Sequence, residues 1–462
     1  MASALQFTSP VSIPISLAGN FGEPRPNHFH GGIDVRTDGR MGLPVFAVAD
    51  GYVSRIVIGT GYGNAVYVTH PNGITSFYCH LNGLAAPLRR MVSTERKRQQ
   101  QPDVIDRPRH SSPLLELSLN PMQYPVSAGQ LIAWSGNTGA SMGPHLHLEF
   151  HETRTNALRD PLDYLVGLIN DTIAPEAIAI MAYPKEGEGA FNGKVFPQRF
   201  AATPSETIHK AWGNVGFAIL AEDHMNDTYH RLGIRSTELL VDDSLAFWSN
   251  VDSIPMSQNR MVNSWGDFDY WRSKRQWFMK SFVEPGNPLA VVHTSSNYGY
   301  ISFNEERRYR LTYVLTDAFG NSSSYEFYVE GERQPFPMVP RKSLFRSLRW
   351  NTTNSFQMPG LQLDIPRWRL ADNLELQTSV EYVKDGFSDI YWLSPKTYSL
   401  FSWAKLSIRL KRDVPDAERL HIFSGDKDLG GTYSDGWIST NIREIDGPYH
   451  VEFPEPVTEE PD

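Results

Sequence analysis

The chain has 462 residues, with 43 lysines and arginines against 52 aspartates and glutamates, for a formal net charge of −9. That balance excludes a general nucleic-acid binder, which needs an excess of positive charge, and the length implies roughly two to four domains. At 40% hydrophobic and 12% aromatic the composition is globular, and no apolar run is long enough to span a bilayer.

Met1-Ala2-Ser3 leads into a mixed segment without a charged n-region or a long apolar h-region. Short, Gly-punctuated strands are then expected at 45–49, 52–58, 65–69, 75–78, 131–134 and 145–150, an all-β pattern. The stretch 82–124 interrupts it. It carries Arg89, Arg90, Arg96, Lys97, Arg98, Arg107 and Arg109 and reads as a partly helical insertion beside the site described next. Cys79, the only cysteine, excludes an intramolecular disulfide and a Cys-rich metal site. Alternation along Tyr78-Cys79-His80 points its thiol into the core, as an inert buried group.

Eight of the 14 histidines precede residue 152. In Gly143-Pro144-His145-Leu146-His147-Leu148-Glu149-Phe150, read as a strand, His145, His147 and Glu149 share one face. Leu146, Leu148 and Phe150 share the other, a core face. In His28-Phe29-His30-Gly31-Gly32-Ile33-Asp34-Val35 a turn runs into a strand that can bring His30 and Asp34 together. One histidine from the later strand completes three ligands, the number that leaves a catalytic zinc a free position for water. His80 ends another strand-like run.

Three motifs, His30-x-x-x-Asp34, Tyr78-x-His80-Leu81 and Gly143-Pro144-His145-Leu146-His147, resemble those of the M23 (lysostaphin/LytM-type) zinc metallopeptidases. Ala49-Asp50-Gly51-Tyr52-Val53, Gly61-Tyr62-Gly63-Asn64 with His70, and Gly129-Gln130-Leu131-Ile132-Ala133 with Gly136-Asn137-Thr138-Gly139 resemble the family's linking segments in order and spacing. The resemblance covers about the first third of the chain. It implies Zn²⁺ held by His30, Asp34 and His147, catalytic roles for His80 and His145, and a polar transition-state stabiliser among Arg25, Asn27 and His28. His28 and His70 otherwise serve as orienting or structural groups.

From Asp171 the texture changes to aromatic-rich, alternating runs at 217–222, 236–242, 289–294, 309–316 and 324–330, with segments at 233–239 and 316–321 that resemble bacterial Ig-like domains. Dense aromatics at 247–282 suit a core or domain interface better than glycan stacking. A proline-rich linker at 334–340 precedes strand-like runs at 361–365, 378–383, 406–410 and 449–453, and an acidic, proline-rich tail at 454–462. The expected fold is mainly β: an M23 LytM-type antiparallel sheet domain at 1–170 with its insertion at about 82–124, an Ig-like β-sandwich at 171–332, and a C-terminal β domain at 333–462.

The resemblance implies an endopeptidase that cleaves peptide cross-links or stem peptides of peptidoglycan. The basic insertion would then meet free carboxylates of the substrate. Such an enzyme is exported to the periplasm or cell envelope, with its signal peptide removed. The trailing β domains resemble exported Bacteroidetes-type peptidases and offer a surface for an envelope protein partner. Three alternatives stand beside it. One is a silent LytM-like module that activates a cell-wall amidase. Another is an envelope scaffold whose structural zinc is closed by His28, His70 or Glu149. The third is a phosphoryl-carrying histidine of the sugar-phosphotransferase kind, in which the His30–Asp34 pair has no use.

Overall fold

A computed structural model describes residues 5–99, 114–203, 207–335, 346–394 and 396–455. Arg107, Arg109, most of the 334–340 linker and nearly all of the acidic tail lie outside the described residues. Strands take 46% of the structure and helices 10%, so the chain is mainly β, as expected.

The first sheet carries the histidines. Its main path uses β1 (Leu17–Gly19), β2 (Gly32–Arg36), β3 (Gly51–Ile58), β4 (Ala65–Thr69), β5 (Ile74–Cys79), β6 (Leu115–Ser118) and β7 (His145–Glu152), in the spatial order β1-β2-β7-β5-β4-β3-β6. All of these neighbours pair antiparallel. The period of two decides what each face does. Ile33 and Val35 of β2, Tyr78 of β5, and Leu146, Leu148 and Phe150 of β7 enter one apolar cluster and are shielded from solvent. The opposite face of the same strands is left for polar groups. A small sheet of Pro44–Phe46, Leu131–Trp134 and Gly83–Leu84 covers the apolar side, where Val45, Ile132, Ala133 and Leu84 join the cluster.

The helix α1 (Ala86–Arg98) follows directly. Pro87 suits its first turn, and Arg96, Lys97 and Arg98 sit where the helix dipole favours positive charge. Leu88 and Val92, one helical turn apart, are buried in the cluster that holds Leu146 and Phe150. The described helical part of the insertion therefore lies on the face opposite the histidines, not beside them. Two apolar residues at i and i+4 outweigh the basic face in placing the helix.

A second core is built mostly from residues 177–329, joined by Phe21, Phe29, Leu158 and Phe401. Its sheet is centred on β8 (Glu176–Phe191) and β9 (His209–Glu222), with β10 (Arg308–Thr316) and β11 (Ser322–Gly331) extending it. No strand is expected over β8, whose Pro184, Gly187 and Gly189 are residues that strands disfavour. The sheet absorbs them in a register shift between Pro184 and Gly189. Trp265 and Phe278 of the aromatic-rich segment are buried, and Trp265 packs 6.0 Å from the ring of Phe29. That is the interface reading of this segment. Two five-stranded sheets and a two-stranded one (Arg346–Leu348 with Leu374–Leu376) form the C-terminal region, whose core includes Leu406, Ile408, Ile438 and Ile442 from β12 (Tyr398–Arg409) and β13 (Trp437–Ile445).

Candidate metal centre

Register brings the site together. His147 of β7 stands opposite Asp34 of β2 on one side and Cys79 of β5 on the other. His30 lies just ahead of β2, on the return arm of a hairpin (Pro24–Arg25 with His28–Phe29) whose turn residue Asn27 is left-handed, at φ 75°. Gly32 is required by close approach, since a Cβ there would sit 2.1 Å from the backbone oxygen of Leu148.

Three donor atoms converge. His30 Nε2 is 3.1 Å from Asp34 Oδ1, His147 Nδ1 is 2.7 Å from the same oxygen, and the two nitrogens are 3.1 Å apart. All three residues are buried. The set of two imidazoles and one carboxylate suits a zinc-type ion, whose ligands lie about 2.0–2.2 Å from the metal. The other atoms of these ligands are already engaged. His30 Nδ1 donates to the Asn20 carbonyl at 2.6 Å, which leaves Nε2 as the lone-pair nitrogen. His147 Nε2 bonds Glu149 Oε1 at 2.8 Å, which frees Nδ1. Arg25 Nη2 donates to Asp34 Oδ2 at 2.8 Å and to Glu23 Oε2 at 3.2 Å.

Two further histidines sit at the rim. His145 Nε2 is 3.4 Å from Asp34 Oδ1, while its Nδ1 donates to the Gly143 carbonyl at 2.8 Å. The His80 ring is 4.8 Å from that of His145 and 5.7 Å from that of His147. His80 Nδ1 donates to the Thr138 carbonyl at 2.8 Å. Both rims therefore keep Nε2 as the acceptor. Thr138 is held by the docking of two glycine-rich loops: its hydroxyl accepts from Asn64 N at 3.0 Å and donates to the Leu81 carbonyl at 3.0 Å.

The electrostatics follow from burial set against pairing. Burial works to raise the Asp34 carboxyl, but the neighbouring His30, with His145 and His147 close by, holds it well below the usual range. Burial opposes a charge on His147, yet the bonds to Asp34 and Glu149 push it up to about 9. A proton and a cation thus compete for the same Nδ1. Burial, reinforced by His147 and His145, pushes His80 down to about 4.

Cys79 is buried in a core as expected, but in a small cluster with Ala65 and Tyr67 on the histidine face rather than in the main core, and sequence reasoning missed a network. β5 ends at Cys79, and His80 turns into the left-handed region at φ 60°. The cross-strand pair Leu148–Tyr78 puts Tyr78 in the core, so Cys79 faces the same way as His147. The thiol is still buried, and that burial, with the charges of Glu149 and Asp34, pushes its pKa well up. The network centres on Glu149, which accepts from His147, from Tyr62 Oη at 2.9 Å and from His151 Nε2 at 2.7 Å. Burial would raise its carboxyl, but the bonds from His147 and His151 keep it well below the carboxylate range. His151, which continues the His-x-His-x-Glu-x-His alternation, was the available signal. His28 is exposed and bonds only the Pro26 carbonyl, while His70 spans the Asp50 carbonyl and Ser76 Oγ. Neither joins the three donors.

The profile of peptidase family M23 matches residues 28–96, a span that holds His30, Asp34 and His80. The chain carries an M23 peptidase domain. A Zu5-like domain profile matches residues 346–453. DD-carboxypeptidase/endopeptidase Mpg of Neisseria meningitidis is 31% identical over 120 residues, 26% of this chain and 19% of that protein. Peptidoglycan DD-endopeptidase ShyC of Vibrio cholerae is 30% identical over 110 residues, 24% of this chain and 18% of its own length. The matched part thus spans less than a fifth of these curated relatives. A solved structure described as a putative M23 peptidase from Pseudomonas aeruginosa is 25% identical, with a TM-score of 0.24, over 36% of this chain and 52% of that one. Among the described residues, no helix is long and apolar enough to cross a membrane.

Proposed function

We propose that this chain is a zinc-dependent endopeptidase of the cell envelope that hydrolyses peptide bonds in peptidoglycan cross-links or stem peptides. One observation carries the reading: His30 Nε2, Asp34 Oδ1 and His147 Nδ1 face a common point, with every other polar atom of those side chains already bonded. His30, Asp34 and His147 are the metal ligands in this proposal. When bound there, zinc supplies an activated water and polarises the scissile carbonyl.

The remaining chemistry belongs to the chain. His145 and His80 each offer a lone pair at Nε2, fixed by a backbone carbonyl at Nδ1. His80 is held neutral at physiological pH with its Nε2 lone pair free, and His145, 3.4 Å from the carboxylate that would bind the metal, is placed beside the reacting atoms. The two would take a proton from the attacking water and return it to the leaving amine. Arg25 fixes the Asp34 carboxylate. Glu149 does not close the site as a fourth ligand but orients His147 through its far nitrogen. Peptidoglycan as substrate rests on the names of the relatives, and export to the envelope follows from that substrate. In the same proposal the peptidase domain occupies 1–170, with an Ig-like module at 171–332 and a C-terminal β domain at 333–462 as its spacing or docking partners.

The test is zinc content and muropeptide release for the full chain and two variants. His147→Ala should lose both the metal and turnover. His145→Ala should keep the metal and lose turnover by about 10²–10⁴-fold. Zinc binding without new muropeptide ends in the unaltered chain would overturn the peptidase reading.

A further inference from the structure

A second cluster has no part in the peptidase centre. Asp171 lies in the linker that leaves the M23 domain, Asp223 directly follows β9, and Asp317 directly follows β10. One carboxylate oxygen from each lies within 4.8 Å of the others, and all three residues are buried. Both Asp317 oxygens are bonded, with acceptor capacity left on Oδ2: Oδ1 accepts from Phe319 N and Asn321 N, both at 2.8 Å, and Oδ2 from Asn321 Nδ2 at 2.7 Å. Asp171 Oδ1 accepts from Ile173 N at 3.1 Å. Asp171 Oδ2 and Asp223 Oδ1 are different. Both are sealed from solvent with no hydrogen-bond partner, on side chains that are 9% and 3% exposed.

Buried carboxylate oxygens without partners are costly unless a cation meets them. Among the described residues, no lysine, arginine or histidine forms an ion pair with any of the three. Burial and the neighbouring Asp317 charge push the Asp223 carboxyl up to about 8, a sign of acids packed together without a counter-charge. The donors are all oxygen and all hard, which excludes a thiolate or imidazole metal. Calcium accepts irregular sets of carboxylate and carbonyl oxygens at about 2.3–2.6 Å, whereas magnesium demands near-octahedral geometry at shorter distances.

We infer that Asp171, Asp223 and Asp317 form a calcium site that pins the M23 domain to the following β module. The ion draws together three segments that the chain brings from far apart. The loop after Asp223 then reaches the peptidase sheet. Met225 and Leu232 are buried in the M23 core, with Ala318 and Phe319 packed against it. Leu17 N of β1 contacts Met225 Sδ at 3.2 Å. Asn20 and Gly233 exchange two bonds, at 2.8 and 2.7 Å, and the carbonyl of the same Asn20 orients His30. The calcium site thus braces the loop that supports the first ligand of the peptidase centre.

The experiment titrates CaCl2 into the full chain, stripped of metal and reloaded with one equivalent of zinc, with calorimetry and thermal melting as readouts. One calcium per chain and a raised melting temperature are expected. Asp223→Asn and Asp317→Asn should each weaken uptake by at least about tenfold, and Asp34→Asn should bind calcium as the unaltered chain does. No uptake, or uptake that the two cluster variants leave unchanged, overturns the site. Uptake lost only in Asp34→Asn also overturns it, by assigning the ion to the peptidase centre. Should the cluster variants not fold, proteolysis of the unaltered chain at residues 169–175 decides. Slower cleavage with CaCl2 than with MgCl2 supports the site, and equal rates overturn it.

Discussion

The two buried ligand clusters of this molecule solve the same electrostatic problem differently. In the centre of His30, Asp34 and His147, each ligand atom's neighbour is bonded outward, to the Asn20 carbonyl, to Arg25 and to Glu149, so the three donors are preset. A proton on His147 can stand between the two carboxylates. Among the described residues, the cluster of Asp171, Asp223 and Asp317 has no imidazole to carry that proton, no arginine behind it, and two orphaned oxygens. An oriented, proton-buffered site suits a reaction in which the fourth position of the metal must change partners. A purely acidic site with unmet oxygens suits an ion that stays. The difference lies in the groups behind the ligands rather than in the ligand count, which is the same.

The largest expected effect tests the preset centre directly. His147→Ala removes a donor and leaves Glu149 without its strongest partner, so zinc content should fall to background and muropeptide release should cease. Metal analysis of purified protein checks it, and zinc retained at full occupancy would mean that His147 is not a ligand. Glu149→Gln is the sharper probe, because it leaves all three donors in place. Losing the carboxylate behind His147 should weaken zinc affinity by about 10–100-fold, as for other orienting groups, measured by competition with a chromogenic chelator. Unchanged affinity would remove the outward network as the feature that separates the two clusters.

The legibility of the two clusters from sequence differs for a physical reason. Asp34 and the pair His145 and His147 are legible as polar positions because a strand's period of two prints them onto short runs, Ile33 and Val35 bracketing Asp34 and Leu146 and Leu148 bracketing His147; the choice of His30, Asp34 and His147 as a ligand set comes from the M23 resemblance. The mainly β architecture was readable for the same reason. What lay beyond sequence was set by register and by packing at a distance. The facing of Cys79 depends on Leu148 pairing with Tyr78 and on the left-handed turn at His80. The side chosen by α1 depends on where Leu88 and Val92 find a core. The strand β8 was hidden because Pro184 and its glycines are tolerated only through a shift in pairing with β9. Asp171, Asp223 and Asp317 share no motif, since a linker and two separate strand ends deliver them.

A smaller effect is expected where the modules meet away from either cluster. Asn263, 5% exposed, accepts from Asn27 N at 2.9 Å and donates to Asn27 Oδ1 at 2.9 Å and to Ser399 Oγ at 2.8 Å. It thereby ties the hairpin ahead of His30 to both later modules. Asn263→Ala should cost about 1–3 kcal/mol through the partners left unsatisfied, read from denaturant unfolding, with zinc affinity nearly unchanged. A large loss of zinc affinity would show that the hairpin depends on this junction rather than on Asn20 and Arg25.

The smallest effect concerns His70, which lies in the M23 domain but outside both clusters. Burial lowers its pKa, opposed by its bond to the Asp50 carbonyl. That carbonyl can only accept, so Nδ1 carries the proton and Nε2 accepts from Ser76 Oγ at 2.8 Å. Protonating Nε2 would force the Ser76 hydroxyl to turn away. The folded state therefore binds fewer protons here than the unfolded chain, whose histidine titrates near about 6.5. Stability from this residue is present above that value and is lost as pH falls through it towards the lower folded pKa. His70→Gln should flatten the dependence of unfolding free energy on pH below about 6.5 while leaving zinc and calcium binding unchanged at neutral pH. An unchanged slope would mean that the acid sensitivity of the domain comes from the metal-centre histidines instead, and the preset centre would then be the weak point of the fold in acid.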